Sequence, residues 1–144
     1  MVEEGSGSGV ASGDGAEMSE FLRAAGLRVE EVGGDGVRGW IDLDERHHTP
    51  WGVVHGGVYV SAVESAASLG ASAAVEERGQ FAVGLNNTTD FLRPMRMGRV
   101  EVVAEPIMQG KSQQLWQVII TRAEDGKEVA RGQLRLQNVP LQRG

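Results

Sequence analysis

The stretch His55-Gly56-Gly57-Val58-Tyr59-Val60-Ser61-Ala62-Val63-Glu64-Ser65-Ala66-Ala67-Ser68-Leu69-Gly70-Ala71-Ser72-Ala73-Ala74-Val75 decides the fold. From Val58 to Val75 its only charged residue is Glu64. The polar residues Ser61, Glu64, Ser65, Ser68 and Ser72 recur mostly every three or four positions. At about 3.6 residues per turn they form one stripe along a helix. Val58, Ala62, Val63, Ala66, Leu69 and Ala73 occupy the other faces and can meet a packed surface broadly, while the stripe turns toward a cleft or a polar neighbour. Burying an ionised carboxylate without partners costs roughly several kcal/mol or more. Glu64 is therefore the first candidate site residue, the alternative being an ordinary helix whose stripe meets bulk water.

Outward from this helix the periodicity changes from helical to alternating. On the amino-terminal side, Ser19 can cap a short amphipathic helix carrying Phe21, Leu22, Ala24 and Ala25, which Gly26 would end. Residues 27–32 and 37–43 alternate as strands about the turn Gly33-Gly34-Asp35-Gly36, predicting a hairpin. On the carboxyl side four more strands are expected, at 80–92, 100–108, 115–122 and 128–139, separated by Pro94, Gly98, Gly110 and Asp125-Gly126. Two strands, one long helix at 56–77 and four strands able to pair as an antiparallel meander predict an α+β fold, a sheet wrapped on a helix. A doubly wound parallel sheet would need several crossover helices, and only one substantial helix is available.

Composition narrows the functional classes. The chain has 144 residues, of which 40% are hydrophobic, suiting one domain at 18–144. Residues 1–17, with Gly5-Ser6-Gly7-Ser8-Gly9 and Gly13-Asp14-Gly15, bury too little apolar area to offset chain entropy and are expected to be a disordered tail. Their glycine spacing lacks the strand and helix of a dinucleotide fingerprint. There is no cysteine, which excludes disulfides, thiolate metal sites and cysteine nucleophiles and suits a cytoplasmic setting. A net charge of −6 argues against general nucleic-acid binding. With Glu64 counted, no run reads as a bilayer span, so neither nucleic acid nor membrane is an expected partner. His47, His48 and His55 have no recognised ligand spacing, and no metal is expected.

Trp51-Gly52-Val53-Val54-His55-Gly56-Gly57-Val58-Tyr59, with Glu64 nine positions after His55 and Ser68 one turn further, resembles the hotdog-fold acyl-CoA thioesterases. Within them the chain is most similar to the Arthrobacter-type 4-hydroxybenzoyl-CoA thioesterases, the enterobactin-pathway proofreading thioesterase and, more broadly, the phenylacetate-pathway (PaaI-like) group. The likeness runs from about Leu27 to Val139 and includes Phe91-Leu92-Arg93-Pro94 and a Gly110-Lys111-Ser112 turn. It implies hydrolysis of an acyl-CoA thioester, the coenzyme being part of the substrate and no other cofactor being needed. It assigns the oxyanion role to the Gly56 amide, with Gly57 beside it at the helix start, and a supporting role to His55. It also implies nucleotide contact by Arg93, and a place for Ser68 beside the catalytic water or carboxylate. Lys111 and Ser112, in a turn, are further candidate coenzyme A contacts. At Thr49 the chain departs from the family, whose members usually carry Gln or Asn there, so a different acyl group, a slower enzyme, or compensation by His48, Asn86 or Asn87 is expected.

Thioester hydrolysis needs a base or acceptor at the acyl carbon and donors aimed at the oxygen that becomes negative. A helix start offers unpaired N–H groups and partial positive charge. The nine residues from Gly56 to Glu64 rise roughly 12 to 13 Å, too far to serve one acyl carbon within one chain. The site should therefore straddle two subunits, predicting a homodimer or a dimer of dimers. Glu64 would act as nucleophile or general base on an aryl or medium-length acyl group, with Trp51, Tyr59 and Phe81 able to line a pocket. Alternatives are a thioesterase acting on an acyl carrier protein, a non-catalytic acyl-CoA-binding module, and a dehydratase.

Overall fold

The computed structural model describes residues 18–142, and the tail expected at 1–17 lies outside the described residues. Helix α1 (Glu20–Ala25) begins where the Ser19 hydroxyl accepts the Leu22 amide at 3.2 Å and ends at Gly26, whose φ of 89° is left-handed. No residue of α1 is buried, and Phe21 is 65% exposed. Strands β1 (Arg28–Gly33) and β2 (Gly36–Leu43) form the hairpin. A 3-10 turn (Glu45–His47) leads toward the long helix α2 (Gly56–Val75). Strands β3 (Gln80–Phe91), β4 (Gly98–Gln109), β5 (Gln113–Arg122) and β6 (Glu128–Pro140) follow. Each strand lies within two residues of its expected place.

The six strands make one antiparallel sheet, in the order β1-β2-β4-β5-β6-β3. The expected four-strand meander is therefore corrected at its first member. Strands β4, β5 and β6 do run as a meander, but β3 pairs with β6, and β4 returns to pair with β2 through Val37↔Ala104 to Leu43↔Gly98. The physical reason is closure. A sheet that wraps a helix must flank it on both sides, so the chain leaving α2 continues at the edge opposite the hairpin. Alternation within each strand carries no information about which neighbour it takes.

The inward face of the sheet follows a period of two: Val37, Ile41 and Leu43 on β2, Val100, Val102 and Ala104 on β4, Trp116, Val118 and Ile120 on β5, Leu134 and Leu136 on β6. Against it α2 buries Tyr59, Ala62, Val63, Ala66, Ala67, Gly70, Ala71 and Val75. With its 3-10 extension to Arg78, α2 has the length and mean hydropathy, 1.3, of a bilayer span, yet the sheet wraps it and makes it the core helix. Together these surfaces define the hotdog fold, an α+β sheet around one long helix.

Small residues let helix and sheet approach closely. A Cβ placed on Gly70 would overlap the six-membered ring of the Trp116 indole. The indole Nε1 donates to Gln114 Oε1 at 2.9 Å. Gln114, wholly buried, donates in turn to the Ala71 carbonyl at 3.0 Å and to Asn138 Oδ1 at 2.8 Å, tying α2, β5 and β6 together.

Gly→Ala in a solvated helix interior stabilises by about 1 kcal/mol. At Gly70 the added methyl meets the indole, so Gly70→Ala is expected to destabilise by about 1 to 3 kcal/mol in urea denaturation. The sign alone decides: a stabilised variant would show that Trp116 does not seat on this glycine.

Candidate active site

Helix α2 starts at a turn held by three histidines that each serve backbone. His47 Nδ1 accepts the Asp44 amide at 3.1 Å, and its Nε2 faces the Ala24 carbonyl at 3.0 Å. His48 Nε2 faces the Arg96 carbonyl at 2.8 Å. His55 caps α2, its Nδ1 accepting the Gly57 amide at 2.8 Å while its carbonyl accepts Val58 N–H at 3.0 Å. Two of the first three helix amides are thereby used. The Gly56 N–H has no protein acceptor among the described residues. At a helix start it carries the partial positive charge of the helix dipole. No cluster of His, Asp or Glu able to hold a metal occurs among the described residues.

Beside that amide lies a cleft of about 260 Å³ lined by Val53, Val54, Gly56, Tyr59 and residues 91–95. The Phe91 ring rests on Gly56, where a Cβ would lie 2.7 Å from Phe91 Cζ, so the glycine is required for that contact. Tyr59 tilts against Phe91 with ring centroids 6.3 Å apart. The Tyr59 ring is 3% exposed, and its hydroxyl is buried with no hydrogen-bond partner. Burial pushes this phenol up to about 12, against a smaller opposing pull from the Arg122 charge, so it is a neutral donor at physiological pH. Of the three aromatic residues expected at a pocket, Tyr59 alone lines it. Trp51 is 81% exposed on its turn, and Phe81 sits where β3 begins, beside the carboxyl end of α2.

Glu64 is exposed and outside the cleft, two turns along α2, with its carboxylate against Gly84 of β3. Ser68 is half-buried one turn further on, and beyond it the Ser72 hydroxyl accepts the Ala82 amide at 3.0 Å. The polar stripe of α2 therefore faces β3, the edge strand. Asn87 donates to the Val60 carbonyl at 3.1 Å, and Thr89 Oγ1 donates to Asn87 Oδ1 at 2.7 Å. Asn86 faces away and pairs with Thr88.

Thr49 is a turn residue: its hydroxyl accepts the Trp51 amide at 3.2 Å, its N–H donates to the Val53 carbonyl and its carbonyl accepts Gly52 N–H. Arg93 lines the cleft mouth and donates to the Glu128 carbonyl at 2.7 Å. Arg96 is tied to the Gly52 carbonyl at 3.1 Å. Lys111 and Ser112 lie elsewhere. Their carbonyls accept from Arg78 and Asn138 at the carboxyl end of α2, about 30 Å of helix away from Gly56. A single chain thus joins Gly56, Gly57, His55 and Arg93, sets Glu64 and Ser68 apart, and places Lys111 and Ser112 at the other end. Reading the sequence missed Gly84 and Phe91. Phe91 was visible only as part of a motif, and Gly84 gave no signal because its neighbour is 20 residues away in the chain.

The long helix wrapped by a six-stranded antiparallel sheet defines a class, the hotdog-fold proteins. The family model described as thioesterase superfamily matches residues 52–129, and the chain belongs to that family. The Mycobacterium tuberculosis protein Rv1847 is 47% identical over 121 residues, 83% of this chain and 86% of that one. Its structure superposes with a TM-score of 0.82, covering 87% of this chain and 100% of the other. The Haemophilus influenzae thioesterase HI1161 superposes with a TM-score of 0.78 at 34% identity, over 85% of each chain. The Escherichia coli 1,4-dihydroxy-2-naphthoyl-CoA hydrolase is 35% identical over 94 residues, 65% of this chain and 68% of its own. The chain is a hydrolase of the thioesterase type.

Tyr59 is the only tyrosine of the chain, so its titration can be read directly from phenolate absorbance. Its raised folded pKa contributes stability that is complete below the unfolded value near 10 and is lost as pH rises toward 12. The expected midpoint is about 12, coincident with alkaline unfolding. A midpoint near 10 in folded protein would mean the hydroxyl meets water.

Proposed function

We propose that this protein hydrolyses the thioester of an aryl or medium-length acyl-CoA at a site shared by two copies of the chain. The observation that carries the reading is the unpartnered Gly56 N–H in an apolar cleft that holds no carboxylate. The amide donates to the thioester oxygen as it becomes negative, and the acyl group fills the cleft against Val53, Val54, Tyr59, Phe91 and Met95. The carboxylate is Glu64 of the other copy. Strand β3 supports this pairing, because it is a 12-residue strand at the sheet edge with Phe81, Val83 and Leu85 exposed along it. Such an edge is a template for another strand.

Two routes use this geometry. Glu64 attacks the acyl carbon, the C–S bond breaks and the coenzyme leaves as its thiolate; water then opens the resulting anhydride, regenerating the Glu64 carboxylate and releasing the proton that the thiolate takes up. Alternatively, Glu64 takes a proton from a water that attacks directly. Both give a carboxylic acid and free coenzyme A. His55 fixes the helix start through Gly57, Ser68 lies beside the carboxylate, and Arg93 at the cleft mouth meets the nucleotide. Lys111 and Ser112 reach the coenzyme only from a different copy of the chain, as in a dimer of dimers. An aryl acyl group is favoured by the mainly apolar cleft and by the E. coli relative, a 1,4-dihydroxy-2-naphthoyl-CoA hydrolase. Motif likeness alone supports an Arthrobacter-type or PaaI-like subgroup. Acyl-CoA as substrate also favours a cytoplasmic setting.

Thiol release from a panel of aryl and straight-chain acyl-CoAs tests the reading. Glu64→Ala is expected to lower kcat by about a thousandfold with the oligomer intact by light scattering. Undiminished turnover would remove Glu64 from the chemistry. Arg93→Ala is expected to raise KM more than it lowers kcat, and an unchanged KM would remove it from binding.

A further inference from the structure

The register of β3 slips between Gly84 and Asn86, leaving Leu85 unpaired in a β-bulge. Before the bulge the residues facing α2 are Ala82 and Gly84, and after it they are Asn87, Thr89 and Phe91. A regular strand would have turned Asn86, Thr88 and Asp90 inward instead. The extra residue thus sets two contacts at once: Phe91 on Gly56, and Asn87 on the Val60 carbonyl. Val60 lies one helical turn before Glu64. At Gly84 itself the missing side chain is occupied by the carboxylate, since a Cβ there would lie 2.6 Å from Glu64 Oε2 and 3.3 Å from its Cδ.

We infer that Gly84 and the bulge after it form the seat that positions the Glu64 carboxylate, making Gly84 a positioning residue for hydrolysis. The inference rests on the catalytic reading of Glu64. Its distinctive consequence comes from what a methyl at Gly84 would meet. At Gly70 the obstacle is a buried indole, and at Gly132 it is Thr89 Oγ1 at 2.5 Å and both Val63 methyls. At Gly84 the nearest obstacle is the far end of a flexible side chain, while Leu134 Cδ1 at 3.6 Å is in ordinary contact. The fold can keep its shape while the carboxylate swings away.

The test is Gly84→Ala, alone and combined with Glu64→Ala, in steady-state thiol release and thermal unfolding. Displacing a reacting group by about 1 Å can cost on the order of a hundredfold. The expected result is kcat lowered about 10- to 100-fold with KM and melting temperature nearly unchanged. No further loss is expected when Gly84→Ala is added to Glu64→Ala, because the glycine acts only through that carboxylate. Full activity in Gly84→Ala beside an inactive Glu64→Ala would overturn this inference and leave the proposed function standing. An active Glu64→Ala would overturn both. A Gly84→Ala protein that unfolds would also overturn the seat, since the backbone rather than the carboxylate would have given way.

Discussion

The structure depends on how closely α2 can approach the sheet. At Gly70 the helix backbone comes down onto the Trp116 indole, and no residue with a side chain could hold that separation. A tryptophan buried whole must also satisfy its N–H, and Gln114 does so while bonding to the helix at Ala71 and to Asn138 on the next strand. The network is worth more as a constraint than as a sum of hydrogen bonds, because each member left without its partner would be a buried polar group. It anchors the carboxyl half of α2, while the core around Ala62, Val63 and Ala66 seats the amino half. The helix start is thereby held beside the cleft lined by Val53, Val54 and residues 91–95.

What happens at that end follows from counting donors. A helix leaves its first amides without intrahelical acceptors. Here the His55 cap accounts for Gly57 and Val58 and leaves Gly56 pointing at apolar walls. The histidine is therefore structural in what it touches, and it leaves the Gly56 N–H open to the cleft. Glycine at 56 serves a second purpose, since Phe91 lies where a Cβ would be. The cleft owes its shape to that ring, and the ring's direction is set by the bulge at Leu85, several residues upstream.

The site was unevenly legible in the sequence. His55, Gly56 and Glu64 stood out because their chemistry contradicts their setting: glycines opening a helix and one carboxylate in an apolar run. Thr49 drew notice as a departure from the family pattern, and its hydroxyl is spent inside its own turn. Lys111 and Ser112 matched a turn motif, yet the turn closes the end of the molecule away from Gly56. Trp51 and Phe81 have the composition of pocket residues without the position. Asn87 was not legible as a neighbour of the helix, because the bulge at Leu85 reverses which later residues face inward and leaves no mark in hydrophobic alternation, and Gly84 was not, because the side chain it meets lies 20 residues away in the chain.

The sequence by itself determined the elements: the helix from its stripe and its His-Gly-Gly start, the strands from their alternation, and the breaks from Gly and Pro. These are local properties, read over a few residues, and backbone geometry translates them directly. Tertiary structure alone decided that β3 crosses to pair with β6, that the stripe of α2 faces this edge, and that Glu64 rests on Gly84. Strand pairing and close approach depend on residues distant in the chain, and they are chosen by which arrangement closes the sheet around one helix and leaves few buried polar groups unpaired.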